Sequence, residues 1–350
     1  MRAANASVSA GVLRGVFRSD HLRLPGLLRP HAERCSNSIH APAAPYVTPE
    51  HLLREPARRA VRVIALFLLE DARHTAHQFH EAGGSPSEEL HDFRVAVRRL
   101  RSWLQLTAAL LDDCISAKQT RRLRKIASAT GPARDLEVHL EWLRREQHGA
   151  TARQRVGIDR VIERLDGRQR DAVARAIEAA ARLEAMRHAL ARRIEPYCVR
   201  VTPDDEEAPF ANALAALVGE AANALRERLA AVHSPTDWDE AHAARIAAKR
   251  LRYLLEPAAH GVRGGVSIVD DLTKLQDIAG DLHDVHVFLA EIESEKGGDT
   301  TAGLRLLDRH LRRRGREAYV ALARDWLGDS AAPFFARVER LVTRLDALRT

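Results

Sequence analysis

The chain repeats itself. HDFRVAVRRLR, from His91 to Arg101, aligns without gaps on HAARIAAKRLR, from His242 to Arg252, at an offset of 151 residues. In that alignment His91 meets His242, Arg94 meets Arg245, Arg98 meets Lys249, Arg99 meets Arg250 and Arg101 meets Arg252. The helix-cap candidates Ser85 and Thr236 precede the two copies at the same offset. A second pair, KIASATGPARDLEV from Lys125 and KLQDIAGDLHDVHV from Lys274, aligns at an offset of 149 and matches Lys125 with Lys274 and Arg134–Asp135 with His283–Asp284. Self-similarity over so long a period means two copies of one structural unit. For 350 residues it predicts two related halves, each long enough to bury a core.

Helical geometry gives the first motif its meaning. At 100° per residue, His91, Arg94, Arg98 and Arg101 project within about 80° of one another. Phe93, Val97, Leu100 and Leu104 fall on the opposite side, so the helix packs its apolar face and presents a cationic stripe. The second copy does the same with His242, Arg245, Lys249 and Arg252 against Leu251 and Leu255. Solvated helix faces usually alternate acids with bases, because like charges one turn apart repel by a few tenths of a kcal/mol. Here Asp92 is the only acid in the first copy and the second has none. A bound polyanion is the natural compensation. In the second motif Lys125 and Arg134 point in opposite directions on a continuous helix, as do Lys274 and His283, so convergence needs a break between them. Gly131 and Pro132 are expected to supply it in the first copy, where the second has only Gly280.

Composition narrows the fold class to all-α. Aromatics make up 5 % of the chain, Gly plus Pro only 33 residues, and Ala, Leu, Arg and Glu dominate. The net charge is +7, with 55 basic against 48 acidic residues, so a basic surface must arise by segregation. Five of the bases are Lys and 50 are Arg, the side chain whose planar fork fits phosphate oxygens. Cys35, Cys114 and Cys198 form no ligand spacing, which points to a reducing cytoplasm. The longest apolar run, Val63 to Leu69, is far short of the roughly 20 residues of a membrane span, so no membrane partner is expected.

Residues 1–48 lack helical periodicity and are expected to be a disordered extension or an overcalled start, with an Arg-rich, acid-poor transit peptide as the alternative. Helices are predicted from Leu52 to Phe79, from the capping box at Ser85, Pro86 and Glu88 to Leu111, from Ser116 to Thr130, and on to Gln147. Ala152 to Ile194 reads as a polar helical connector closed by Pro196 and Pro203. The acidic run Asp204 to Glu207 opens a helix to Val232. Further helices are predicted over Trp238 to Ala259, with a cap at Thr236, then Ile268 to Gly280, Asp281 to Lys296, Ala302 to Leu327 and Pro333 to Leu348.

At these residues the sequence resembles the CHAD family, the conserved histidine α-helical domains. The resemblance rests on the two stripe copies, the RDLEV and HDVHV segments and the duplication, and runs from about residue 50 to the C-terminus. It implies one domain over residues 49–350, in halves of about 49–200 and 204–350: two pseudo-twofold-related helical bundles with a central basic groove or pore. It also implies that inorganic polyphosphate is the ligand, held by His91, Arg94, Arg98, Arg101, His242, Arg245, Lys249 and Arg252, and that the protein associates with polyphosphate granules. Arg99, Arg250, Lys125, Arg134, Lys274 and His283 complete the candidate set. Arg134 departs from the pattern, since the other half has His283. EIESEK, at Glu291 to Lys296, resembles the Glu-x-Glu-x-Lys marker of the neighbouring CYTH domain, but Glu295 stands where Lys is required.

Enzyme chemistry is not expected, since no glycine-rich phosphate loop, carboxylate cluster or nucleophile beside a base is present. No cofactor or metal is expected: His74, His77 and His80 spread around a helix, and His283 with His286 lack a third ligand. Nucleic acid is the alternative ligand, because any phosphate polymer gains from counterion release. Base stacking calls for aromatics among the cations, and only Trp103 and Tyr253 lie near the motifs.

Overall fold

The computed structural model describes residues 48–83, 88–111, 114–200, 208–293 and 301–348, leaving aside the side chains of 196–200 and 301. Ten helices run through them: α1 (Pro49–Arg54), α2 (Ala57–Glu81), α3 (Glu88–Leu106), α4 (Ala117–Gly149), α5 (Ala152–Arg200), α6 (Phe210–Ala230), α7 (Trp238–Leu255), α8 (Gly265–Glu293), α9 (Thr301–Trp326) and α10 (Ala332–Asp346). The all-α class holds. Among the described residues there is no strand, only one isolated antiparallel bridge between Pro56 and Pro209. Its flanking bonds, Ala57 N–H to the Ala208 carbonyl at 3.2 Å and Phe210 N–H to the Glu55 carbonyl at 2.8 Å, tie the start of α2 to the start of α6. None of the helices is long and apolar enough to cross a membrane.

Local chemistry explains most boundaries. Ser116 caps α4 with a reciprocal box: its hydroxyl accepts from the Gln119 N–H while the Gln119 side chain accepts from the Ser116 N–H at 2.9 Å. Such caps contribute about 1 kcal/mol. The single helix predicted from Leu52 instead breaks at Glu55, which is extended because Pro56 follows it. The second half's cap is Asp237, not Thr236. Its carboxylate accepts from the N–H groups of His233 and Ser234 at 2.8 and 2.9 Å and so organises the turn before α7. The other cap, at Ser85 and Pro86, lies outside the described residues, as do Pro203, Asp204–Glu207 and 1–47 of the predicted N-terminal extension.

Three corrections bear on the site. First, α4 runs unbroken through Gly131 and Pro132. Proline leaves the carbonyl four residues back without a donor, and here that carbonyl belongs to Ser128, on the wall of an open cavity. Ser128 itself is exposed. Second, α8 runs unbroken through Gly280. Third, α5 is a core element and no connector. It continues through Pro196 to Arg200 and buries Ile158, Val161, Leu165, Ala172, Ala176, Leu183 and Leu190 at steps of three, four and seven. It packs against α2, α4 and α9. At the α9 crossing, a side chain on Gly303 would meet the Gln154 carbonyl oxygen at 2.3 Å, so the approach requires glycine.

The site lies where α3 meets α7, with α4 packed on α3 and α8 on α7. Phe93, Val97, Leu100 and Leu104 of α3 and Leu251 and Leu255 of α7 are buried as predicted. Each such side chain contributes about 1.5 to 3 kcal/mol. That packing leaves little rotational freedom to the stripes.

Candidate polyanion site

Residues matched by the duplication face one another across the α3–α7 contact. Arg98 acts most strongly of all charges on Lys249, Arg245 acts on Arg94, and Asp135 acts on Asp284. One position beyond the second repeat, His139 of α4 stacks on Phe288 of α8, its match at the offset of 149, with centroids 4.3 Å apart and planes 3° from parallel. The stripes therefore converge.

The electrostatics are lopsided. Arg94, Arg98, Arg101 and Arg245 bring four guanidinium groups together with the Lys249 amine, and the carboxylates acting on them are Asp135, Asp284 and Asp277. Arg94 donates to Asp135 at 3.2 Å. In the other half Asp284 acts on Arg245, and burial holds the Asp284 carboxyl above its ordinary range. Lys249 is pushed down to about 5 by burial and then by Arg98, Arg245 and Arg94. The histidines respond in the same direction. Burial and Arg134 lower His91 to about 4, and burial with Arg245 lowers His283 to about 3. His242, lowered by burial and Arg245, lies ring against ring with His283 at 4.3 Å. Excess positive charge, partly desolvated, makes each group that can lose its proton do so.

Unpartnered buried nitrogens accompany the charge. Nδ1 of His91 and Nδ1 of His242, matched by the duplication, are buried without a hydrogen-bond partner, as are Nε of Arg101 and Nε of Arg245. Beside them opens a cavity of about 180 Å³ lined by Arg94, Arg98, Arg101, Ala127, Ser128 and Gly131. Its walls come from α3 and α4, so the open space belongs to the first half.

The remaining candidates divide. Arg134 reaches the site, since it is the leading charge acting on His91, and it also donates to Glu137 at 2.7 Å. Arg250 is exposed and acts on Arg101. Arg99 forms an ion pair with Glu256 at 2.9 Å, which holds its guanidinium above the ordinary range against the pull of burial. Arg252 is 6 % exposed, pairs with the same Glu256 at 3.2 Å and donates to Thr273 at 3.3 Å. Glu256 thus joins the two halves from below the site. Lys125 and Lys274 stand apart. On unbroken helices they face away from Arg134 and His283, and Lys274 pairs with Asp271 at 3.0 Å.

Sequence reading missed Glu256, Arg124 and the Trp238–His286 stack. Arg124 acts on Arg101, and its spacing from Ser128 and Gly131 could have revealed it. The Trp238 and His286 rings lie 5.2 Å apart and 6° from parallel. This occupies His286 with an aromatic face. Among the described residues no three His, Cys, Asp or Glu side chains group as a metal site.

The helical frame thus gathers a repeated, undercompensated cation cluster beside one cavity. No curated protein matches the chain. The crystal structure of the CHAD domain from the plant Ricinus communis shares 22 % identity and superposes with a TM-score of 0.59, covering 85 % of this chain and 94 % of that one. PptA from Streptomyces chartreusis shares 20 % identity with a TM-score of 0.55, covering 78 % of this chain and 99 % of its own. These two likenesses establish the shared fold. The family model for the CHAD domain matches residues 66–293, from within α2 to the last residue of α8, and the chain belongs to the CHAD domain family.

Proposed function

We propose that this chain binds inorganic polyphosphate in the groove between α3 and α7, using Arg94, Arg98, Arg101, Arg245 and Lys249, with His91, His242, His283 and Arg134 at its edge. The observation that carries the proposal is the excess of half-buried cations over carboxylates beside an open cavity, with buried donors left unpartnered. A phosphate chain offers oxygens to those donors and charge to offset the repulsion. The pairing of Arg94 with Arg245, Arg98 with Lys249, Asp135 with Asp284 and His139 with Phe288 supports a pseudo-twofold axis through the groove. A linear polymer of identical units suits such a site. Binding rather than catalysis is the role proposed, because the groups at the cavity are cations and Asp135 is engaged by Arg94. Cytoplasmic association with polyphosphate granules is the setting proposed for it.

Nucleic acid fits less well. Trp103 is buried and donates to the Val61 carbonyl at 3.0 Å, and Tyr253 is buried with the Arg252 guanidinium over its ring. Neither offers a face to a base. The test is calorimetric titration with polyphosphate, followed by competition with single-stranded DNA at equal phosphate concentration. Polyphosphate should bind and DNA should displace it poorly. Displacement by DNA at equal concentration would overturn the assignment.

A further inference from the structure

Cations continue the α4 wall of the cavity beyond its lining residues. Arg121, Arg124, Ser128, Gly131 and Asp135 of α4 follow one another at steps of three, four, three and four, so they share a face of the helix. Ser128 and Gly131 line the cavity, and Asp135 holds Arg94. Arg124 and Arg121 extend that face one and two turns beyond Ser128, to about 10 Å at 1.5 Å per residue. Both are exposed, and among the described residues neither has an ion pair or hydrogen-bond partner. Arg124 acts electrostatically on Arg101, so the two sets of cations are contiguous. Exposed arginines elsewhere are of both kinds: Arg144 is tied to Asp166 at 2.9 Å and Arg226 to Glu339 at 2.6 Å, whereas Arg175 and Arg340, like Arg121 and Arg124, have no acid partner among the described residues. Lys125, Arg122 and Lys118, also exposed and without such partners, flank the line.

The matched face of α8 is its opposite in charge. At the offset of 149, Arg121 becomes Asp270, Arg124 becomes Thr273 and Ser128 becomes Asp277. Asp270 and Asp277 are exposed, Thr273 accepts from Arg252, and Asp277 is close enough to Arg252 and Arg245 to feel both. A polyanion leaving over α8 meets carboxylates where one leaving over α4 meets guanidinium groups.

We propose that a polyphosphate chain longer than the groove leaves it over the N-terminal turns of α4, held by Arg124 and Arg121, and is turned away from the matched face of α8 by Asp270 and Asp277. The inference rests on the polyphosphate reading and deepens it: the protein distinguishes long chains from short ones through a one-sided track outside the groove.

The experiment compares tripolyphosphate with a long-chain polyphosphate on the full chain, in the parent and in Arg121→Gln with Arg124→Gln. Gln keeps helix propensity and removes charge. The double variant should bind tripolyphosphate within about twofold of the parent, lose about tenfold in long-chain affinity, and show a log–log salt slope for the long chain shallower by about 1.4 to 1.8. Arg121→Lys with Arg124→Lys should restore most of that loss, and Asp270→Asn should not weaken long-chain binding. Unchanged long-chain affinity in the Gln variant overturns the track. An equal loss for tripolyphosphate also overturns it, by assigning these residues to the groove itself. An equal loss for single-stranded DNA makes the track a general polyanion surface and overturns its assignment to polyphosphate. A parent that binds neither phosphate chain refutes the polyphosphate reading and this inference together.

Discussion

The two halves carry the same motif and do different things with it. In the first, Arg98 and Arg101 line an open cavity, and the exposed Arg124 and Arg121 follow on the α4 face beside it. In the second, the match of Arg101 is Arg252, buried against Glu256 and Thr273. The match of Arg98 is Lys249, whose amine can shed its proton, and the match of Arg134 is His283, whose ring lies tilted against that of His242. At these matched positions one copy of the repeat has permanent charge beside the cavity, where the other has a titratable or an enclosed group. An arginine is charged at any working pH, whereas a crowded lysine or histidine adjusts its charge to its neighbours.

The largest expected effect removes the central contact between the halves. Arg98→Ala with Lys249→Ala should weaken polyphosphate binding by about 3 to 6 kcal/mol, at about 1.5 to 3 for each hydrogen-bonded charge. That is a hundredfold or more, read by titration calorimetry, with the helical circular dichroism spectrum unchanged. A double variant that binds like the parent would break the comparison at its root, since neither stripe would then be the site.

Next in size is a contrast between matched arginines. Arg252→Ala uncovers the buried Glu256 network and should destabilise the fold by about 3 kcal/mol in chemical denaturation. Arg101→Ala should leave stability nearly unchanged and weaken binding by about tenfold, the loss of one charged contact. If both variants lose affinity alone, or both lose stability alone, the two halves are functionally equivalent at this position.

A smaller effect sharpens the contrast in proton chemistry. Free Lys249 is held near 5 and free His91 near 4, and a bound polyanion favours their charged forms. Between the free and bound values binding takes up protons, so affinity rises as pH falls, by up to tenfold per pH unit for each proton. Affinity of the parent should therefore fall from about pH 6 to pH 8. Lys249→Arg, which makes the second stripe match the first, should flatten that profile while keeping affinity at the alkaline end. His91→Gln with His242→Gln should remove the imidazole share. Identical profiles in parent and variants would show that the titrating groups lie elsewhere.

The smallest effect concerns the empty protein. Because Lys249 has a lower pKa folded than its ordinary 10.5, the unfolded chain binds more protons between about pH 5 and 10.5, and folding stability rises with pH across that window. Lys249→Met removes this dependence. Thermal melts should show a gain of about 2 to 4 °C near pH 6, as expected for about 1 kcal/mol, and little or none near pH 10. Polyphosphate affinity should fall in the same variant, which would place stability and binding in opposition at one residue.

How much of this was legible in the chain varies with the kind of information involved. The helices carrying the stripes were readable because Phe93, Val97, Leu100 and Leu104 recur at helical spacing and are buried. The helix α5 was misread because its buried seam is rich in alanine, which carries little hydrophobic signal, and its outer face is rich in arginine. Gly131 and Pro132 looked like a terminator because local propensity cannot know that the freed carbonyl borders a cavity. That misreading carried Lys125 and Lys274 into the candidate set beside Arg134 and His283.

The sequence by itself determined the all-α class, the duplication and the stripes, because helical periodicity and self-similarity are properties of residue order alone. Only the tertiary structure decided which cations are available. Arg101 and Arg252 are the same letter in matched positions, yet one lines an open cavity and the other is enclosed by Glu256, Thr273 and Tyr253. The physical reason is that a charge is free or committed according to the carboxylates and the solvent within a few ångströms of it. Thr273 arrives from α8 and Arg99 comes from α3 to share Glu256, and no local pattern in the stripe encodes either approach.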